Sequence, residues 1–197
     1  SMHGLKNFIN ASMDIFDITL YGQGCHAGMP HLGIDPIIAS TELVGALQSV
    51  ISRELDPLKS GVVSVTKIHG GQAYNVIPDS VTISGTCRAF SLPVQDQIEA
   101  AIRQRVNGIC QTYGVSAKID YHRRAPCTQN HPLQSAICTD VTRALVGDDN
   151  VVLDMAPSMG AEDFAFMLLE KPGAYIWLGN GAIENGRGLH NPHYDFN

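Results

Sequence analysis

The chain has 197 residues, a formal net charge of -6, 44% hydrophobic residues and 16% charged ones. That length allows one compact domain or two small ones, and the apolar content excludes a disordered chain. The acid excess argues against nucleic acid or an anionic membrane as the main partner, no apolar run approaches the roughly 18 residues of a membrane span, and the N-terminal residues do not read as a signal peptide.

Residues 15–21 alternate, with Phe16, Ile18 and Leu20 on one side and Asp17, Thr19 and Tyr21 on the other, which predicts a half-buried strand. A loop rich in Gly, His and Pro follows over 22–33. Asp35 and Pro36 begin a helix as N-cap and first helical residue. Ile37, Val44, Leu47 and Ile51 form its expected apolar stripe, and Asp56-Pro57 and Ser60-Gly61 break it. The β-branched run Val62 to Ile68 predicts a second strand, and His69-Gly70-Gly71-Gln72 a turn. Residues 80–90 alternate again, with Val81, Ile83, Gly85, Cys87 and Ala89 on one face and Ser80, Thr82, Ser84, Thr86 and Arg88 on the other. Ser91 and Pro93 open a second helix, striped by Ile98, Ile102, Val106, Ile109 and Tyr113, and Gly114 ends it as a left-handed cap. Val115 to Tyr121 is a further strand.

The order β-α-β-β-α-β over about 14–123 predicts an α/β (α+β) fold of ferredoxin-like type, an antiparallel four-stranded sheet with two helices on one face. Arg123-Arg124-Ala125-Pro126 reads as a boundary. Beyond it, 132–146 and 161–169 look helical, while Val151 to Leu153 and 173–178 look strand-like. That remainder does not make an obvious domain of its own.

Five cysteines, an odd number with no C-x-x-C pair, read as free thiols of a cytoplasmic protein. Cys25 precedes His26, but adjacent residues in an extended segment point apart, so the pair is poorly placed to share a proton.

Eight histidines, several in Gly/Pro-rich loops, are the informative residues. In Gly24-Cys25-His26-Ala27-Gly28-Met29-Pro30-His31 the small neighbours let backbone approach a ligand. His26 there either fixes the turn by hydrogen bonding or donates to a developing oxyanion or moves a proton. His31 is read as a turn residue. Asn75, in Gly70 to Pro78, offers a donor and an acceptor on a short arm, or serves turn chemistry. Arg88, on a polar strand face, either makes a surface ion pair or binds a carboxylate in two-point fashion. Glu162 and Asp163 fall in the first turn of the helix expected over 161–169, where the dipole favours acids in a capping role. His190, in Leu189-His190-Asn191-Pro192, has the rigid setting of a metal ligand, but one histidine never makes a site.

Together these motifs resemble the aminoacylase-like, metal-dependent peptidase and amidohydrolase family, in its hippurate hydrolase and N-acyl-amino-acid amidohydrolase branch. The matching residues run in order: Phe16-Asp17-Ile18, G-Q-G-C-H-A-G-M-P-H-L-G-I-D-P at 22–36, H-G-G-Q-A-Y-N-V-I-P-D at 69–79, G-T-C-R at 85–88, G-A-E-D-F at 160–164 and L-H-N-P-H-Y-D-F-N at 189–197. Six ordered motifs are far more specific than a lone Gly-rich loop.

The resemblance implies a catalytic domain holding two divalent metals, zinc or manganese, with a ferredoxin-like satellite domain that dimerises. It implies residues 1–13 as a linker or catalytic remnant, 14–123 as the satellite, and 124–197 as the C-terminal part of an incomplete catalytic domain. His26 falls at the satellite histidine that reaches the partner subunit's site and stabilises the tetrahedral intermediate. Asn75, Arg88 and Glu162 fall at substrate-binding positions, and His190 at a late metal ligand. His3 is similar to a metal-binding histidine upstream of the satellite. The implied reaction is attack of a metal-bridged water on the amide of an N-acyl amino acid. The early metal motif, the bridging acid and the glutamate pair that the family needs have no counterpart in these residues. The expectation is therefore an inactive piece of a homodimeric amidohydrolase. The alternative is a non-catalytic dimerisation or small-carboxylate-binding module.

Overall fold

The structure, a computed structural model, describes residues 8–179 together with Asn191, Pro192 and Tyr194. In chain order its elements are β1 (Phe8–Asn10), β2 (Met13–Tyr21), β3 (Cys25–His26), α1 (Pro36–Ser49), β4 (Gly61–Gly70), β5 (Val76–Ile77), β6 (Ser80–Ala89), α2 (Leu92–Tyr113), β7 (Ser116–Ala125), β8 (Thr128–Gln129), α3 (Pro132–Val146) and α4 (Phe164–Glu170). No helix among the described residues is long and apolar enough to cross a membrane.

Four strands form one sheet in the order β4-β6-β2-β7, every pair antiparallel. With α1 and α2 this is the expected ferredoxin-like β-α-β-β-α-β. Alternation makes one face apolar: Phe16, Ile18 and Leu20 of β2 and Val81, Ile83 and Cys87 of β6 are at most 2% exposed. The helices cover that face with Leu43 and Leu47 of α1 and Ile98, Ile102 and Val106 of α2. Full burial of such a side chain stabilises by about 1.5–3 kcal/mol.

The helix signals act as expected at both ends. Asp35 Oδ1 accepts from the Ile37 amide at 2.8 Å, and Gly114 ends α2 at φ 69°. The stripe of α1 differs from expectation. Pro36, Ala39, Ser40, Leu43 and Leu47 are buried, whereas Ile37 is 38% exposed. The first turn is apolar on several sides, so only contact with the sheet selects which residues face inward.

Gly85 lies opposite Phe16 across β2 and β6. A Cβ there would sit 2.3 Å from Phe16 Cζ and 2.3 Å from the Ser64 carbonyl oxygen. Neither a buried ring nor a backbone carbonyl in mid-sheet yields easily, so Gly85→Ala should cost about 2–3 kcal/mol, read as a lower urea midpoint at unchanged m-value.

Two small sheets escape the sequence reading. β1 pairs with β8, and β3 pairs with β5. The strands expected at 151–153 and 173–178 are absent among the described residues. Ser158 instead makes an isolated parallel bridge to Asn10. The stretch at Tyr175 is held by a side chain: Asn130 Nδ2 donates to its carbonyl at 2.9 Å, and Asn130 Oδ1 accepts from its amide at 2.8 Å. An apolar run becomes a strand only where another backbone meets its donors and acceptors. The second expected helix starts three residues late, at Phe164.

Candidate functional site

The β3–β5 pair builds the first half of the site. His26 stands opposite Val76, and Cys25 opposite Ile77. The Ala27 amide donates to the Asn75 carbonyl at 2.9 Å. The two loops singled out in the sequence therefore meet, with His26 and Asn75 both exposed. His26 Nδ1 accepts from the Gly28 amide at 3.0 Å. The neutral ring then carries its proton on Nε2, which leaves an outward-facing donor. Turn fixing thus uses one nitrogen and leaves the other available to donate. His31 sits exposed in a short 3₁₀ turn, Pro30–Leu32.

Asp79 holds this loop in place, a role the sequence reading does not assign. Its Oδ1 accepts from the Gly24 amide at 2.8 Å, and its carbonyl accepts from the Gly22 amide at 2.8 Å. The signal was present, since Asp79 closes the N-V-I-P-D motif. Gly33 leaves room for Cys25, because a Cβ there would lie 2.5 Å from the Cys25 Sγ. The Cys25 thiol thus packs on Gly33.

Arg88 lies at the other end of the sheet. It is eight residues along β6 from Ser80, roughly 25 Å at the rise of an extended strand. β3 and β5 lie beyond the Ser80 end. Arg88 makes no ion pair among the described residues, and its Nη1 is buried without a hydrogen-bond partner there. The surface ion pair weighed from sequence is absent among them.

The segment leading into the G-A-E-D-F motif is tied toward the Arg88 end through Ser158. The Ser12 amide donates to the Ala89 carbonyl at 2.7 Å, and the Ala11 amide to the Ser158 carbonyl at 3.0 Å. Ser158 is four residues from half-buried Glu162. Neither acid caps α4: Asp163 occupies the N-cap without a side-chain hydrogen bond. Glu162 instead faces Tyr175. Burial, the Glu162 charge and a hydrogen bond to Glu162 push the Tyr175 hydroxyl above its ordinary range. The Tyr175 ring meets Phe164 at a tilt and Trp177 edge-on, at centroid distances of 5.8 and 5.7 Å.

His3 and His190, the expected metal ligands, lie outside the described residues. Among the described residues no group of three or more His, Cys, Asp or Glu converges as a metal site. By themselves they do not fit a metal centre, and their chemistry is that of hydrogen bonding and charge. All five cysteines are free, and burial pushes the Cys87 thiol up to about 12, which makes it a poor nucleophile.

A ferredoxin-like layer with an exposed histidine loop at one end defines a class of small α+β domain, and comparison with known proteins places it. Residues 9–114 match the family model of the peptidase dimerisation domain. The chain belongs to that family. It is 36% identical over 177 residues to N-acetyl-L-cysteine deacetylase of Bacillus subtilis, covering 89% of this chain and 42% of that enzyme. It is 36% identical over 192 residues to hippurate hydrolase of Campylobacter jejuni, covering 98% and 49%. Among solved structures it is similar to the Bacillus subtilis YXEP protein, a dinuclear metal-binding peptidase of the M20 family, with a TM-score of 0.71 and 28% identity over 89% of this chain and 43% of that one. The chain spans a little under half the length of these relatives.

Proposed function

We propose that the complete protein hydrolyses the amide bond of N-acyl amino acids (N-acetyl, benzoyl or similar) or small peptides. Relatives that deacetylate N-acetyl-L-cysteine and hydrolyse hippurate support this reaction class. In this reading 14–123 is the dimerisation domain and 124–197 the C-terminal part of the catalytic domain. His26 is the catalytic donor to the oxyanion, through Nε2–H. Asn75, Arg88 and Glu162 bind substrate, with Arg88 on its carboxylate. His190 and His3 are metal ligands for two divalent ions, zinc or manganese, and the free thiols fit a cytoplasmic setting.

The observation that carries this reading is the separation of His26 from Arg88. An N-acyl amino acid is about three residues long at most, roughly 10 Å extended. It cannot touch both side chains of one copy across roughly 25 Å of strand. A homodimer resolves this if His26 of one copy completes the site that contains Arg88 of the other.

Mixing complete proteins tests it. His26→Ala and His190→Ala should each be inactive alone. After exchange of subunits about one quarter of the original turnover should return, because half of the dimers are mixed and each mixed dimer has one whole site. No recovery despite confirmed exchange overturns the shared site.

A second reading, a non-catalytic dimerisation or carboxylate-binding module, describes this chain in isolation. The match of residues 9–114 to the peptidase dimerisation domain supports it. The isolated chain is expected to hold no stoichiometric metal pair by elemental analysis and to turn over no N-acetyl amino acid above a buffer blank.

A further inference from the structure

His26 does not stand alone on its side of the β3–β5 pair. Residues directly opposite in an antiparallel pair point the same way, with Cβ atoms about 4.5–5.5 Å apart, and neighbours along a strand point opposite ways. Cys25 and Ile77 therefore share one side, where Ile77 is buried and the thiol packs on Gly33. His26 and Val76 share the other side, and Val76 is 50% exposed.

Two more apolar residues are tied to the same place. The Met29 amide donates to the His26 carbonyl at 2.8 Å and closes the turn 26–29, and Met29 is 45% exposed. The Val76 amide donates to the Ala73 carbonyl at 3.5 Å, which sets Tyr74 in the turn before β5, fully exposed. None of the three joins the hydrophobic core. A single exposed apolar residue is ordinary. Three of them gathered about one imidazole have the make-up of a ligand site, apolar walls around a few placed polar groups.

In the function given for the complete protein, His26 donates to the oxygen of the acyl carbonyl. The acyl substituent is bonded directly to that carbonyl carbon, whereas the amino-acid side chain is separated from it by the amide nitrogen and Cα. A side chain one cross-strand spacing from His26 therefore reaches the acyl group first. Val, Met and Tyr are stabilised by covering apolar or aromatic surface in proportion to its area, so a phenyl ring is held far better than a methyl group. Identity of 36% to both a deacetylase and a hippurate hydrolase does not select between such groups. We propose that Val76, with Tyr74 and Met29, forms the acyl-contacting wall of the shared site and selects a large apolar or aromatic acyl group, benzoyl over acetyl. This rests on the shared-site reading, and the wall belongs to the copy that lends His26.

The test uses mixed dimers of the complete His26→Ala and His190→Ala proteins, with N-benzoylglycine and N-acetylglycine as probes. The one whole site of such a dimer takes His26 from the His190→Ala copy. Val76→Ala/Tyr74→Ala on that copy should lower kcat/KM for the benzoyl substrate, relative to the acetyl one, by about 10-fold, the scale of a few lost apolar contacts. The same changes on the His26→Ala copy should leave the ratio where it was. Tyr74→Ala alone, at a fully exposed position that cannot disturb the core, should give a smaller fall in the same direction. The protein without these changes should favour N-benzoylglycine. The wall is overturned by a preference for N-acetylglycine, by equal loss for both substrates, or by an effect that follows the His26→Ala copy. Mixed dimers that hydrolyse neither substrate defeat the shared site and the wall with it. Mixed dimers that hydrolyse both at an unchanged ratio defeat the wall alone.

Discussion

Asp14→Ala should destabilise the protein by about 2–4 kcal/mol in urea denaturation. Asp14 is 1% exposed, and both of its oxygens are used. Oδ1 accepts from Gln95 Nε2 at 2.6 Å, and Oδ2 accepts from the Tyr121 hydroxyl at 2.6 Å. Truncation strands a buried amide and a half-buried hydroxyl, each costing about 1–3 kcal/mol. Asp14→Asn keeps the shape and one acceptor, so its loss should be smaller.

The same residue sets a pH dependence. Burial raises the Asp14 pKa above 3.8, against the opposing hydrogen bonds of Tyr121 and Gln95 and the nearby Arg123 charge. The native state then holds this proton more tightly than the unfolded chain does. Between 3.8 and the raised value, stability from this group is greatest at the acid end and falls as pH rises. The advantage of the native protein over Asp14→Asn should therefore grow on acidification through that window, and growth in the opposite direction would refute the assignment. Glu99 works the other way. Burial tends to raise it, but hydrogen bonds from Arg103 and Arg123 win and hold it below 4.5. Its contribution is present above 4.5 and is lost as pH falls. Glu99 is present in both proteins, and its charge also helps to raise Asp14.

In the complete protein, His26→Ala should lower kcat by about 10²–10³-fold, the usual cost of one oxyanion donor. KM should change little, because the donor acts on charge that develops only in the transition state. The Tm should hold, since His26 is exposed and its one described side-chain hydrogen bond is from the Gly28 amide. A KM rise at constant kcat would make His26 a substrate-binding residue instead.

Much of the fold is legible in residue order because its period is simple. Alternation at 15–21 and 80–90 names the buried sheet face, and the Asp35-Pro36 and Gly114 signals bound the two helices. The stripe of α1 is not legible, because Ile37 and Leu43 are equally apolar and differ only in what lies beside them. In the site, His26 and Asn75 are legible as motif residues, and their meeting is not. β3 and β5 have two residues each, too few to show any period. Asp79 and Tyr175 are missed because each acts through a contact more than a dozen residues away in sequence.

The opening composition allowed one domain or two small ones. By itself the order of residues determined the ferredoxin-like layer, its core and its likeness to metal-dependent amidohydrolases, because local periodicity and short motifs survive without a partner. Only the tertiary structure decided where those motifs stand. It set His26 and Asn75 at one end of a ten-residue strand and Arg88 at the other, and it left Val76 exposed on the side that His26 shares. Both are properties of distance and contact. A linear pattern shows which residues can be buried, and the surrounding chain decides which of them are.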